Sequence, residues 1–260
     1  MDKKSITQIY TRSIDSILNL LKLKKIKFGD CPICERKTIF YAKNDWLRDH
    51  YLCAFCGSIP RFRAIIKYIK LYYPNYKNMS IHESSPVGAA SGFLKKNCED
   101  YASSQYFPEV PNGQMKDGFR CENLESLTFD DEIFDLFVTQ DVFEHIMNPG
   151  RAFKEISRVL KPGGAHIFTV PYYPDQKSSP RAIEKDNQII HLKEPVYHGN
   201  PVSSKGSLVT YDWGNDFLDH IYKTTGMVTT ILDAYDPKSG IEAEFREVFI
   251  SRKNPVIYMI

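Results

Sequence analysis

Apolar positions at Ile6, Ile9, Ile14, Ile17, Leu18 and Leu21 recur at helical spacing and predict an amphipathic helix within residues 1–27. Residues 28–60 lose that periodicity and gather cysteines among turn-forming residues, as expected of a small module with little core of its own. The helical pattern returns over Arg61–Tyr73, with Ile65, Ile66, Ile69 and Tyr73 on one side, and Pro74-Asn75 ends it. From Met79 the period changes. Short apolar runs near 79–83, 101–105, 119–122, 134–140 and 165–170 predict strands, alternating with helices over 87–96 and 149–160. Pro149 suits a first helical turn, and Pro162-Gly163-Gly164 turns the chain into the next strand. Residues 172–210, weakly periodic and rich in Pro, Ser, His and Lys, predict a long functional loop or lid. A helix over 215–225 and strands near 227–234 and 246–252 complete the pattern.

Alternation of strand and helix implies βαβ units, a mainly parallel sheet and an α/β domain over 61–253, with the lid insertion inside it and a tail at 254–260. At 260 residues the chain can bury a substantial core beside the 28–60 module. A hydrophobic fraction of 42% and a charged fraction of 25% describe an ordinary globular composition. The net charge of +2 supplies no global field for nucleic acid. Neither a secretory signal pattern nor a run of roughly 18 apolar residues is present, so a cytoplasmic protein without a transmembrane segment is expected. Lys22, Lys24, Lys25 and Lys27 follow the first helix and suit an anionic membrane surface or a partner, although packing on its own domain is the favoured role.

Four of the six cysteines form two C-x-x-C pairs, Cys31/Cys34 and Cys53/Cys56, separated by 18 residues. That spacing matches four-thiolate zinc sites, in which each pair wraps one side of a tetrahedral ion and leaves no position open for catalysis. The expectation is a structural zinc ribbon. An iron–sulphur cluster is the lesser alternative. Arg48, Arg61, Arg63 and Lys67 lie close by in sequence and offer a surface for a protein partner or, less expectedly, nucleic acid; a solvated basic face is the favoured reading. Cys98 and Cys121 read as small buried residues.

The segment from Leu124 through Phe134-Asp-Leu-Phe-Val-Thr-Gln-Asp-Val-Phe-Glu-His145 to Asn148-Pro149, followed by Arg158-Val-Leu-Lys-Pro-Gly-Gly164, resembles the second half of class I S-adenosylmethionine-dependent methyltransferases. The resemblance runs from about Ser80 to Pro171 and more weakly to Lys253. It implies a Rossmann-like fold with a seven-stranded, mostly parallel sheet and helices on both faces. It also implies S-adenosylmethionine as cofactor, with Glu83 organising the methionine end and Ser84, Ser85 and Gly88 forming the turn beneath it. Gln105 and Tyr106 stand where the ribose is held, Glu122, Asn123 and Leu124 where adenine is contacted, and Gln140, Asp141 and Val142 between the cofactor and acceptor pockets. The loop reads Glu83-Ser-Ser-Pro-Val-Gly88 where the family carries a glycine-rich turn, and Gln105 stands where an acid is usual.

Methyl transfer displaces a sulphonium methyl group, so it needs alignment and, for a hydroxyl or amine acceptor, a base. His145 lies four residues after Asp141, which could orient its imidazole, and His198 lies in the lid; His191 is a further possibility there. Tyr211 and Asp212 close the lid and could shape the acceptor pocket, while Trp213 reads as packing. The expected acceptor is a small or surface-polysaccharide-related molecule. The alternative is a non-catalytic version of the fold that binds protein or nucleic acid; a nicotinamide-dependent oxidoreductase would need a G-x-G-x-x-G turn that is absent.

Overall fold

The structure, a computed structural model, describes residues 22–186, 188–200 and 202–254. The described chain divides into two compact units, one formed by the residues up to Lys67 with Ala234–Arg246, the other by Tyr68–Asp233 with the residues from Glu247. The helix expected within residues 1–27 lies largely outside the described residues, and Lys25–Lys27 belong to a strand.

In the first unit, strands β1 (Lys25–Asp30), β2 (Lys37–Ala42) and β3 (Leu52–Cys53) form an antiparallel sheet in that order, with the single-turn helix α1 (Leu47–His50) before β3. One cysteine pair turns the chain between β1 and β2, and the other begins at Cys53, the last residue of β3. The sequence pattern assigns Ala234–Arg246 to the larger domain, but this segment packs on β1 and β2. Gly240, at φ +67°, approaches the Phe40 ring so closely that a Cβ would lie 2.7 Å from it. The core of so small a unit is completed by a cation. Arg63, fully buried, donates to the carbonyls of Ser58, Tyr51 (2.8 Å) and Gly240 (2.7 Å), with its guanidinium 4.6 Å over the Phe40 ring. Its carrier, helix α2 (Pro60–Tyr72), crosses the boundary between the units at Lys67.

The basic face expected here is therefore largely absorbed. Arg48 is buried and donates to the carbonyls of Glu244 and Phe245, Arg61 pairs with Asp49, and Lys67 pairs with Asp236 at 2.7 Å. Guanidinium groups replace apolar side chains where the unit is too small to bury its own carbonyls among hydrogen-bonded elements.

The second unit follows the chain as β4 (Ser80–Ser84), α3 (Gly88–Asn97), β5 (Asp100–Gln105), β6 (Met115–Lys116), β7 (Phe119–Cys121), β8 (Phe134–Gln140), α4 (Pro149–Val159) and β9 (Leu160–Thr169). Short strands β10 (Tyr172–Tyr173), β11 (Ser179–Pro180), β12 (Ala182–Lys185), β13 (Gln188–His191), β14 (Tyr197–Asn200), β15 (Ser203–Leu208) and β16 (Tyr211–Gly214) precede α5 (Phe217–Thr225), β17 (Val228–Asp233) and β18 (Glu247–Arg252). The main sheet has the order β17-β18-β9-β8-β4-β5-β7-β6. Strands β7, β5, β4, β8 and β9 are parallel, and β18 runs antiparallel between β9 and β17. This is the Rossmann-like class I methyltransferase fold, an α/β architecture. A two-residue strand, β6, hairpins onto β7 and extends the expected seven strands to eight.

Crossovers β4–α3–β5 and β8–α4–β9 leave the centre of the sheet in opposite directions, so right-handed connection puts α3 and α4 on opposite faces. The α4 side is packed on an aromatic core in which Phe143 stacks on Phe153 at 4.0 Å and Trp213 on Tyr211 at 4.2 Å, joined by Phe168, Phe217 and Phe249. His82 and His166 are fully buried within their strands, bonded to Ser104 and Thr139 respectively, each at 2.9 Å. Residues 172–210, read from sequence as a long functional loop or lid, contain two hairpins, β12–β13 and β14–β15. No helix among the described residues is long and apolar enough to cross a membrane.

Candidate active site and cysteine cluster

The chain leaves β4 toward β5 and leaves β8 toward β9, so the sheet reverses its winding between β4 and β8. Ligands of open α/β sheets bind beyond the carboxyl ends of the strands at such a point. Glu83, Ser84, Gln105 and Gln140 lie at the carboxyl ends of β4, β5 and β8. Glu83 is wholly buried and accepts from Ser91 Oγ (2.9 Å), Tyr101 OH (2.6 Å) and Gln140 Nε2 (2.9 Å), which ties β4 to α3, β5 and β8. Burial raises its carboxyl pKa and these donors oppose the rise. Gln140 Oε1 remains buried without a hydrogen-bond partner.

After Ser84 the chain turns through Ser85 at φ +55° and Gly88 at φ +69° into α3. Ser85 thus adopts the left-handed conformation that glycine takes most cheaply, and the turn is made without the glycine-rich sequence. Val87, half-buried, precedes the helix. Tyr106 is exposed beyond β5.

The residues expected around adenine already have partners. Glu122 is buried, paired with Arg120 Nε at 2.7 Å and accepting from the Thr128 amide (2.9 Å) and hydroxyl (2.5 Å). Asn123 closes a turn, its side-chain oxygen accepting from the Glu125 amide, and Leu124 belongs to the core. Their spacing to the strand is legible in the sequence; the competing internal donors are not.

After β8, Asp141 at φ +52° accepts from Thr169 Oγ1 at 2.8 Å, followed by half-buried Val142 and a single 3-10 turn at Phe143–His145. His145 is oriented by a backbone carbonyl: its Nδ1 lies 2.9 Å from Leu208 O. The carboxylate that faces it is Glu144, which the sequence pattern did not single out. Glu144 Oε1 is 3.8 Å from both His145 Nε2 and His198 Nδ1, and the two imidazoles meet edge to face with centroids 5.1 Å apart. The β14–β15 hairpin delivers His198, pairing Tyr197 with Leu208 and His198 with Ser207. Thr210 pins the turn by donating to the Glu144 and Ile146 carbonyls. Glu144 and His198 border a cavity of about 130 Å³, lined also by Pro171, Tyr173, Arg181 and Tyr211. Asp212 lies on its wall, held by Arg181 (3.0 Å) and Lys193 (2.8 Å). Trp213 is buried in the core, and His191 lies on the exposed β13.

In the first unit all four cysteine sulphurs lie within 4.8 Å of one another, with Cys31 to Cys56 at 3.7 Å and Cys34 to Cys53 at 3.9 Å. The residues after the pairs, Glu35 at φ +59° and Gly57 at φ +65°, take matching left-handed conformations, and Glu35 and Gly57 donate back to the carbonyls of Cys31 and Cys53. Burial opposes ionisation of Cys53, but the Thr38 hydroxyl and the amides of Cys56 and Phe55 outweigh it and bring the thiol down to about 7. Burial and the neighbouring sulphur of Cys31 push Cys34 up.

Residues 89–168 match the methyltransferase domain family. The matched span runs from α3 to β9 and includes Glu122, Gln140 and the Glu144–His145 turn. A glycine/sarcosine/dimethylglycine N-methyltransferase of Actinopolyspora halophila is 30% identical over 99 residues, 34% of this chain and 18% of its own length. A ubiquinone biosynthesis O-methyltransferase of Coxiella burnetii is 32% identical over 56 residues, 22% of this chain and 24% of its own. The chain thus spans a quarter or less of the length of these relatives. Among solved structures, the amino pentose methyltransferase CalS10 of Micromonospora echinaspora aligns over 76% of this chain and 93% of its own, with 11% identity and a TM-score of 0.49.

Proposed function

We propose that this chain transfers a methyl group from S-adenosylmethionine to a hydroxyl or amine of a small acceptor. The observation that carries the reading is the unpartnered Gln140 Oε1, buried at the reversal point of a class I sheet. An orphaned buried acceptor is costly unless a ligand satisfies it, and the ammonium of a bound methionine moiety has the matching chemistry. Bound there, S-adenosylmethionine supplies a sulphonium methyl group open to displacement. Glu83 holds Gln140 and the β4 turn in place, and the Ser85–Gly88 turn offers the first amides of α3 to the carboxylate end. In the cavity, His198 takes the acceptor proton, with Glu144 stabilising the resulting imidazolium and Leu208 fixing His145. The relatives named for N- and O-methyl transfer support this acceptor chemistry.

For the cysteine cluster we propose one structural zinc ion on Cys31, Cys34, Cys53 and Cys56. Tetrahedral zinc with bonds of about 2.3 Å needs sulphurs about 3.8 Å apart, which fits the separations found. Such a module also suits recruitment of a protein partner.

One observation favours the rival, non-catalytic reading: Glu83 and Glu122 are already saturated by internal donors, and Val87 stands at the entry to α3. Calorimetric titration with S-adenosylmethionine and S-adenosylhomocysteine separates the two. Micromolar binding is expected; none at millimolar cofactor overturns the catalytic reading.

A further inference from the structure

We infer that Glu144, His145 and His198 form a site for a divalent first-row transition-metal ion beside the acceptor cavity, where it holds an acceptor through its hydroxyl oxygens. Metal binding stands on the geometry alone; its link to the acceptor rests on the methyl-transfer reading.

The argument begins with a repulsion. A carbonyl only accepts, so the contact of His145 Nδ1 with Leu208 O places a proton on Nδ1, and in the neutral imidazole Nε2 is then a lone pair. That lone pair faces Glu144 Oε1 at 3.8 Å, an acceptor facing an acceptor. Glu144 is 1% exposed, and both of its carboxylate oxygens lack a hydrogen-bond partner. A protonated histidine would supply charge across 3.8 Å but no hydrogen bond to Glu144. A metal cation bound among the three groups would engage the carboxylate and both imidazole lone pairs directly.

The donor set agrees. One ligand atom from each residue lies within 4.8 Å of the others. Bonds of about 2.1 Å around a tetrahedral or octahedral ion place neighbouring ligands about 3.0–3.5 Å apart, so the two 3.8 Å separations of Glu144 from the histidines must shorten by about 0.3–0.8 Å and the pair of imidazoles must draw together with them. Fixing one imidazole nitrogen on a carbonyl while the other ligates is the usual support of a metal-bound histidine. Two histidines and a carboxylate leave open positions on an octahedral ion. The cavity bordered by Glu144 and His198 would bring an acceptor presenting one or two hydroxyl oxygens to such positions.

The ion then replaces His198 in activating the acceptor. The acceptor O–H bond breaks and its proton passes to solvent water. The oxygen pair forms the new O–CH3 bond as the S–CH3 bond breaks, leaving its electron pair on the sulphur of S-adenosylhomocysteine.

The test is a titration of the full chain, its cysteines loaded with zinc, with Mn2+, counting unbound ion by electron paramagnetic resonance. Mn2+ prefers oxygen and nitrogen over thiolates. One Mn2+ per chain is expected, with affinity falling at least tenfold in His198→Ala and in Glu144→Gln. His198 is 43% exposed, so its removal leaves the fold intact even if the buried Glu144 variant does not. No binding by the unaltered chain at millimolar Mn2+, or binding unchanged in His198→Ala, overturns the proposal. S-adenosylhomocysteine affinity measured on the same samples reports separately on the methyl-transfer reading.

Discussion

Gln140 Nε2 donates to Glu83 Oε1 across 2.9 Å, joining the carboxyl ends of β8 and β4 at the point where the sheet reverses its winding. The amide therefore has one half committed to the protein, while the other, Oε1, is buried without a hydrogen-bond partner. Replacing Gln140 with Leu removes both. S-adenosylhomocysteine affinity should fall about tenfold or more, with a stability loss of about 1–3 kcal/mol from the uncompensated Glu83. Glu122→Gln, which disturbs only the contacts to Arg120 and Thr128, should change affinity less. Calorimetry on both variants checks the order, and a larger loss for Glu122→Gln would move the site away from Gln140.

Four crowded thiols cannot all ionise without a cation, and on the zinc proposal a module this small would depend on the ion for its fold. Elemental analysis of the purified chain should find about one zinc per chain, and Cys53→Ala should lose it and expose Lys25–Lys67 to proteolysis. An intact first unit without metal would remove zinc from its fold.

Arg63 serves three carbonyls from inside the same unit. Burial lowers its pKa to about 10, opposed by the nearby cysteine sulphurs, so it stays charged at neutral pH. Arg63→Met should cost about 3–5 kcal/mol in denaturant unfolding, because the carbonyls lose their donors. Arg63→Lys should recover little, since an ammonium cannot reproduce the fork that spans them. Recovery by Lys would show that charge alone matters.

The sheet was legible because its strands are short apolar runs between strong punctuation: β8 occupies the predicted 134–140, and Pro149 opens α4. The cysteine spacing was equally plain. What the pattern could not reveal depends on partners distant in sequence. Gly240 belongs to the first unit because of Phe40, and Arg63 is buried because Gly240 and Tyr51 present carbonyls to it. Glu144 follows an apolar strand and resembles any polar residue in a turn; only the hairpin that brings His198 beside it discloses its place. Glu122 is the converse case, correctly placed near the end of β7 but occupied by Arg120, two residues away.

Gly206 positions that hairpin. It sits at φ +77°, and a Cβ there would lie 2.5 Å from His198 O, so alanine must displace the strand carrying His198. Gly118, at φ +81° with nothing within 4 Å, is the matched control for backbone strain alone. Both alanine variants should lose about 1–2 kcal/mol in stability, but only Gly206→Ala should weaken Mn2+ binding, by about tenfold. Equal effects on Mn2+ would place His198 outside the site.

His82 and His166 set the acid stability of the second unit. Burial lowers both to about 3, with Arg120 adding to the effect at His82. In the unfolded chain each titrates near its ordinary value of about 6.5. Between these values the unfolded state binds more protons, so stability is full above about pH 6.5 and falls as pH drops toward 3. Each histidine contributes up to about 1.4 kcal/mol per pH unit in that window. Glu83, raised by burial, acts with the opposite sign: its penalty grows as pH rises above the usual carboxylate range. Denaturant unfolding from pH 7 to 4 should therefore show a steep loss of stability. His166→Gln, which can keep a bond to Thr139, should flatten that slope by roughly half while lowering stability at pH 7. An unchanged slope would mean that His166 is protonated in the folded chain, and the acid sensitivity would then belong to the carboxylates.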